Sequence, residues 1–136
     1  MAASAGFIGK GTTIGFATVL AGTYTTVAEL LTAAKPKVVT DKIEFTHSTS
    51  DNGMKEFKGG WKEGENTTFT VNYTEAGTSA LIALEGLQRY WKITMPGGST
   101  FAWPGTLIGL DIPVDIKDRI VMSIELSCDG AITYTE

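Results

Sequence analysis

Residues 67–73 alternate strictly, with Thr67, Phe69, Val71 and Tyr73 on one face and Thr68, Thr70 and Asn72 on the other. Side chains along a strand point to opposite faces with a period of two, so this pattern commits the segment to a strand with one face turned to a core. The same period recurs in residues 89–95, where Trp91, Ile93 and Met95 share a side. It recurs again in residues 119–128, where Ile120, Met122, Ile124, Leu126 and Cys128 face inward while Val121, Ser123, Glu125 and Ser127 face out. A chain built on such stretches folds mostly into strands.

The remaining segments fit around them. Residues 12–20 and 24–31 are apolar, rich in Thr and separated by Ala21, Gly22 and Thr23; both read as strands. The second also carries helix signals, a capping-box pair in Thr26 and Glu29 and a run of Ala and Leu ended by Pro36. Residues 38–46 form a further strand with Val39, Asp41, Ile43 and Phe45 on one face. A helix is expected over residues 75–87, with Ala80, Leu81, Leu84 and Leu87 as its apolar stripe and Thr78 or Ser79 as its cap. Pro96, Gly97, Gly98 and Ser99 make a hairpin turn into a returning strand over residues 100–109, with a bulge or bend at Pro104 and Gly105. A short strand over residues 131–136 closes the chain. The fold class is mostly β with one α-helix: a β-sandwich or rolled barrel with a helix packed against it.

Two regions escape this pattern. Residues 1–11, rich in Ala, Ser and Gly, read as a flexible N-terminal arm. Residues 47–64 read as a long loop, dense in turn formers from Ser48 to Gly53 and again at Gly59 and Gly60, with isolated apolar residues Met54, Phe57 and Trp61. A loop longer than about 12–15 residues is uncommon in a compact domain and usually functional.

Length and composition narrow the classes. A chain of 136 residues makes one domain, residues 1–136, with no repeat and no linker. Thr occurs 20 times, a palette for half-buried pleated surfaces. The net charge is −4 and no polybasic run is present, which argues against tight nucleic-acid or anionic-lipid binding. A single cysteine rules out an intrachain disulfide framework. Neither a signal peptide nor a membrane span is expected, since residues 1–9 lack a basic start and no apolar run approaches about 18 residues.

Catalytic chemistry finds no constellation. His47, the one histidine, sits at a strand end and reads as structural or solvated, and Cys128 falls on an apolar strand face as an inert thiol. Lys10 between Gly9 and Gly11 lacks the earlier glycine and the following Ser or Thr of a phosphate loop. Asp111, Asp115 and Asp118 do not match calcium-loop spacing, and Pro113 intervenes. No enzyme, metal or cofactor is expected. Tyr90, Trp91, Phe101 and Trp103 read first as core pairs across a hairpin, with Tyr90 on the opposite face as the better surface candidate.

Several pieces, in order, resemble the tail tube proteins of long-tailed bacteriophages. They are Ile43 to Ser48; Asn52 to Phe57; Gly60 to Glu65 leading into the alternating strand; the Ala/Leu helix; Trp91 to Ser99 with its return strand; and Ile112 to Asp115 before the last strand. The resemblance runs from about Gly11 to the end. It implies a structural virion protein, made in the cytoplasm of a bacterial host, that forms hexameric rings stacked into a hollow tube. Such a tube surrounds a tape-measure protein, meets tail tip and terminator proteins, and later conducts DNA without binding it specifically; no membrane is involved. It also implies that the 47–64 loop orders against a neighbouring subunit. The assembly-loop candidates are Asp51, Lys55, Glu56, Phe57, Lys58, Trp61, Lys62 and Glu63, whose mixed charges can set register between subunits. The candidates for lumen-facing acids are Glu44 and Glu125, since an acidic or neutral wall does not hold phosphates. The alternatives are a tail terminator or another tube-like phage or secretion component, and, from a different class, a monomeric ligand-binding β module built on Tyr90 and neighbouring aromatics.

Overall fold

The computed structural model describes residues 9–27, 29–49 and 53–136. Ten strands and one helix follow in the order β1 (Thr13–Ala17), β2 (Thr25–Thr26), β3 (Leu30–Thr32), β4 (Val38–Glu44), β5 (Phe57–Gly64), β6 (Thr67–Asn72), α1 (Glu75–Ile82), β7 (Gln88–Thr94), β8 (Thr100–Asp111), β9 (Val121–Leu126) and β10 (Thr133–Thr135). Eight of them make one sheet in the order β2-β1-β7-β8-β9-β6-β3, with β10 pairing β8 off that path; among the described residues β4 and β5 pair only with each other. The architecture is the mostly β, single-helix fold that the alternation predicts.

The long strand β8 rolls the sheet. Its first part, Thr100 to Thr106, pairs with β7, and its last part, Leu107 to Asp111, pairs with β9. Register slips between Leu107 and Gly109, opposite β9, and such a bulge bends a strand. The expected bulge at Pro104 and Gly105 is therefore misplaced: register with β7 runs through both residues unbroken. The carbonyl of Pro104 turns away from β7 to accept the Asp129 amide at 2.8 Å. In an extended strand the N–H and C=O of one residue point to the same side, so the missing proline N–H costs the β7 ladder nothing.

The inward faces of the two halves meet in one core of Ile14, Phe69, Val71, Trp91, Ile93, Trp103, Leu107, Met122, Ile124 and Leu126, closed by Leu81 and Leu84 of the helix region. Trp91 and Trp103 are directly opposed across β7 and β8, and both are fully buried. Phe16 and Phe69 pack on Trp91 at ring distances of 5.5 and 5.8 Å, which makes it the centre of an aromatic cluster. Its indole N–H donates to the Gly105 carbonyl at 3.2 Å. These aromatics are core, as the hairpin-pair reading holds.

Four other expectations need correction. The helix is shorter than residues 75–87, and its cap is Thr74, whose hydroxyl accepts the Gly77 amide at 3.1 Å. Thr78 is instead buried, its hydroxyl donating to the Thr74 carbonyl at 2.7 Å with the Met122 sulfur 3.1 Å away. Its stripe is Thr78, Leu81 and Leu84, while Ala80 and Leu87 are exposed. Residues 24–31 are two short strands, β2 on β1 and β3 on β6, with Glu29 at φ 57° between them, so the strand reading holds in broken form. Residues 12–20 keep strand only over Thr13–Ala17. The 47–64 span is not a loop throughout: Phe57–Gly64 is a strand. Of the expected N-terminal arm, residues 1–8 lie outside the described residues.

Candidate assembly surface

Strands β4 and β5 form an antiparallel hairpin that stands apart from the main sheet. The main-chain ladder continues past them, with the Phe45 amide donating to the Glu56 carbonyl at 2.7 Å and the Glu56 amide to the Thr46 hydroxyl at 2.9 Å. His47 Nε2 lies 3.2 Å from a Glu56 carboxylate oxygen across the neck of the tip. Such an exposed pair fixes geometry more than it stabilises, at about 0–1 kcal/mol.

The hairpin carries apolar residues with no core among the described residues beneath them. Val38, Val39, Ile43, Phe45, Met54 and Phe57 are all exposed, and Trp61 is 86% exposed. Trp61 sits where register shifts: Thr40 faces Lys62 and Lys42 faces Gly59, leaving an extra residue on β5. A bulge of this kind re-aims a side chain. Two lysines lie over hairpin rings, Lys58 over Phe45 at 4.9 Å and Lys42 over Phe57 at 5.9 Å, a cation–π arrangement that shields the rings only in part.

The structure thus gathers Lys55, Glu56, Phe57, Lys58, Trp61, Lys62 and Glu63 onto one hairpin. Asp51 lies outside the described residues. The two candidate lumen acids are not brought together. Glu44 ends β4 opposite Phe57, on the hairpin, whereas Glu125 lies on the outer face of β9 opposite Thr68 and accepts from Asn66 Nδ2 at 3.3 Å. Beside Glu125 is a hollow of about 270 Å³ lined by Thr68, Gly109, Leu110, Asp111 and Ser123. Strands β3, β6 and β9 and the last part of β8 contain no Lys or Arg, so this half of the sheet carries acids but no base on its strands, beside exposed apolar residues such as Leu31 and Ile108. Asp111 as Glu125's neighbour follows only from the Asp111–Ser123 pairing, which the bulge sets.

A second surface lies where the hairpin meets the body. A cavity of about 640 Å³ opens between Val38, Lys62, Glu63 and Gly64 on one side and Cys128 to Ile132 on the other. Gly64 is required there: a Cβ would collide with the Cys128 sulfur and come within 2.8 Å of its Cβ. The adjoining segment is tied down by Asp129, which accepts from Gln88 at 3.1 Å, Thr106 at 2.7 Å and Ser127 at 2.7 Å. Burial pushes its carboxyl up, but the three hydrogen bonds outweigh that and leave its pKa lowered. Nothing in the sequence pattern marked this clasp, because two of its three partners, Gln88 and Thr106, lie far from Asp129 along the chain.

The model of the lambda phage tail tube protein family matches residues 7–135, nearly the whole chain and both strands of the hairpin. The chain belongs to the lambda phage tail tube protein family. It is a structural tail tube protein. No curated protein matches it. Among solved structures, it is similar to a chain of the tail of an empty gene transfer agent particle refined with C6 symmetry, at 18% identity and a TM-score of 0.77, covering 96% of this chain and 100% of that one. It is similar to the SPP1 tail tube protein at 13% identity and TM-score 0.69, covering 96% and 79%. It is also similar to a chain of the anti-feeding prophage tube-terminating cap at 15% identity and TM-score 0.72, covering 99% and 94%. The fold is therefore shared by tube and cap proteins, and the family match separates this chain from the terminator reading.

Proposed function

We propose that this tail tube subunit assembles into hexameric rings that stack into a hollow phage tail, with the β4–β5 hairpin as its main contact with neighbouring copies. The observation that carries the reading is the hairpin itself. A two-stranded hairpin is marginally stable alone in water, and this one exposes Val39, Ile43, Phe45, Phe57 and Trp61 without covering any core among the described residues. Exposed apolar strands of this kind mark association sites. The C6 symmetry of the similar gene transfer agent tail supports six subunits per ring. A heterologous contact with that rotation closes into a ring.

The inner wall is the outer face of strands β3, β6 and β9 and the end of β8, carrying Glu125 and Asp111 and no basic strand residue. Such a wall neutralises no phosphates, releases no counterions and lets DNA pass. Glu44, on the hairpin, belongs to the contact surface and not to the wall. The tube encloses a tape-measure protein, ends on tail tip and terminator proteins, and is assembled in the bacterial cytoplasm before it reaches the virion tail.

Negative-stain microscopy of concentrated protein, alone or seeded with a tail tip, tests the reading. Six-fold rings and hollow tubes are expected. A strictly monomeric species by light scattering at all concentrations, with an initiator present, overturns it.

A further inference from the structure

At the opposite end of the β6–β9 pair from the hairpin lies the turn between β8 and β9. Strand β6 begins at Thr67, opposite Leu126 and beside the hairpin base, and ends at Asn72, opposite Val121, where that turn enters β9. Its six residues separate the two ends by roughly 17–20 Å. The turn is built rather than loose: the Asp118 amide donates to the Asp115 carbonyl at 3.2 Å, the Lys117 amide to the Asp115 carboxylate at 2.9 Å and the Arg119 amide to the Asp118 carboxylate at 2.8 Å. This β-turn holds Ile116 at its corner, 95% exposed, with Val114 beside it at 66%. A β-branched apolar residue fixed at the tip of an acid-braced turn has no role within its own fold.

We propose that Ile116 and Val114 of one copy dock in the 640 Å³ cavity of the next copy along the tube axis, between its hairpin base and its 128–132 segment. The proposal rests on the tube reading above and names the contact that stacks one ring on another. The knob and the cavity lie at opposite ends of one rigid sheet, so they cannot meet within a chain, and only another copy brings them together. The cavity is lined by Val38, Gly64, Cys128, Ala131 and Ile132, an apolar floor for the two side chains. Its rim carries Lys62, Glu63 and Asp129, both signs of charge, to face Asp115, Lys117, Asp118 and Arg119 around the knob. A contact between two different patches repeats head to tail without closing on itself, as axial growth requires.

Cys128, the only cysteine, lines the cavity and reports occupancy. Ile116→Cys places a second thiol on the knob. A disulfide forms only when the Cα atoms come within about 4.4–6.8 Å. Assembled Ile116→Cys tubes treated with copper–phenanthroline should give a ladder of dimers, trimers and higher species on a non-reducing gel, and Cys128→Ser in the same chain should abolish it. Ile116→Asp should leave rings intact and raise the concentration needed for tubes at least tenfold. Tubes that form without a ladder, a ladder that survives Cys128→Ser, or Ile116→Asp tubes growing like the parent overturn the docking alone. A parent chain that never forms tubes overturns the tube reading, and this contact with it.

Discussion

The β6–β9 pair and the β4–β5 hairpin are built alike and end differently. Both are antiparallel, and both alternate apolar with polar residues along at least one strand. In the first pair Phe69, Val71, Met122, Ile124 and Leu126 are all essentially buried; in the second Val39, Ile43, Phe45 and Phe57 are all exposed. Alternation therefore specifies a strand but not the surface that will cover it. The first pair finds its cover in β7, β8 and the helix; the second finds none among the described residues, and in the proposed assembly other copies supply it.

The largest effect separates the two regions most sharply. Phe57→Ala with Trp61→Ala should abolish ring formation, since truncating a buried aromatic anchor costs about 2 kcal/mol or more each, roughly thirtyfold per residue in affinity. The same variant's thermal midpoint as a monomer should stay within about 2 °C of the parent; a large loss would show that these residues serve the fold. Ile124→Ala does the reverse. It should cost about 2–5 kcal/mol of monomer stability in urea titrations, and tubes should still form wherever the chain is folded.

Gly64→Ala probes the joint between body and hairpin. The added Cβ meets the Cys128 side chain, so a loss of about 1–3 kcal/mol is expected, partly restored by Cys128→Gly. The smallest effect is at Asp129. Its pKa is lowered on folding, so the clasp's stabilisation is present above the ordinary value of 3.8 and fades as pH falls through the lower folded value. Asp129→Asn should flatten that acid limb slightly; an unchanged profile of stability against pH would show that the clasp carries no weight.

What the sequence made legible follows from where each residue's partner lies. The strands around Phe69, Trp91 and Ile124 were readable because period two and one-sided burial coincide there. Phe57–Gly64 read as a loop because two glycines, Gly59 and Gly60, and a bulge at Trp61 break the period in a strand that has no core to enforce it. The helix cap was misplaced because Thr78, a good cap by type, is held in the core by Met122. The hairpin's candidate residues were chosen from the tail tube resemblance and their mixed-charge character, and the described ones share one hairpin, whereas the acidic pair Asp111 and Glu125 depended on a register shift that local pattern does not encode.

Hydrogen exchange resolved by segment tests the central claim most directly. In the monomer the amides of residues 38–64 should exchange fast while those of Val121–Leu126 are protected, because the β6–β9 pair, unlike the hairpin, packs on a core. In assembled tubes residues 38–64 should slow by about a hundredfold or more, matching the ~3 kcal/mol or more that a covered hairpin gains, and Val121–Leu126 should scarcely change. Equal protection of residues 38–64 in monomer and tube would contradict the account.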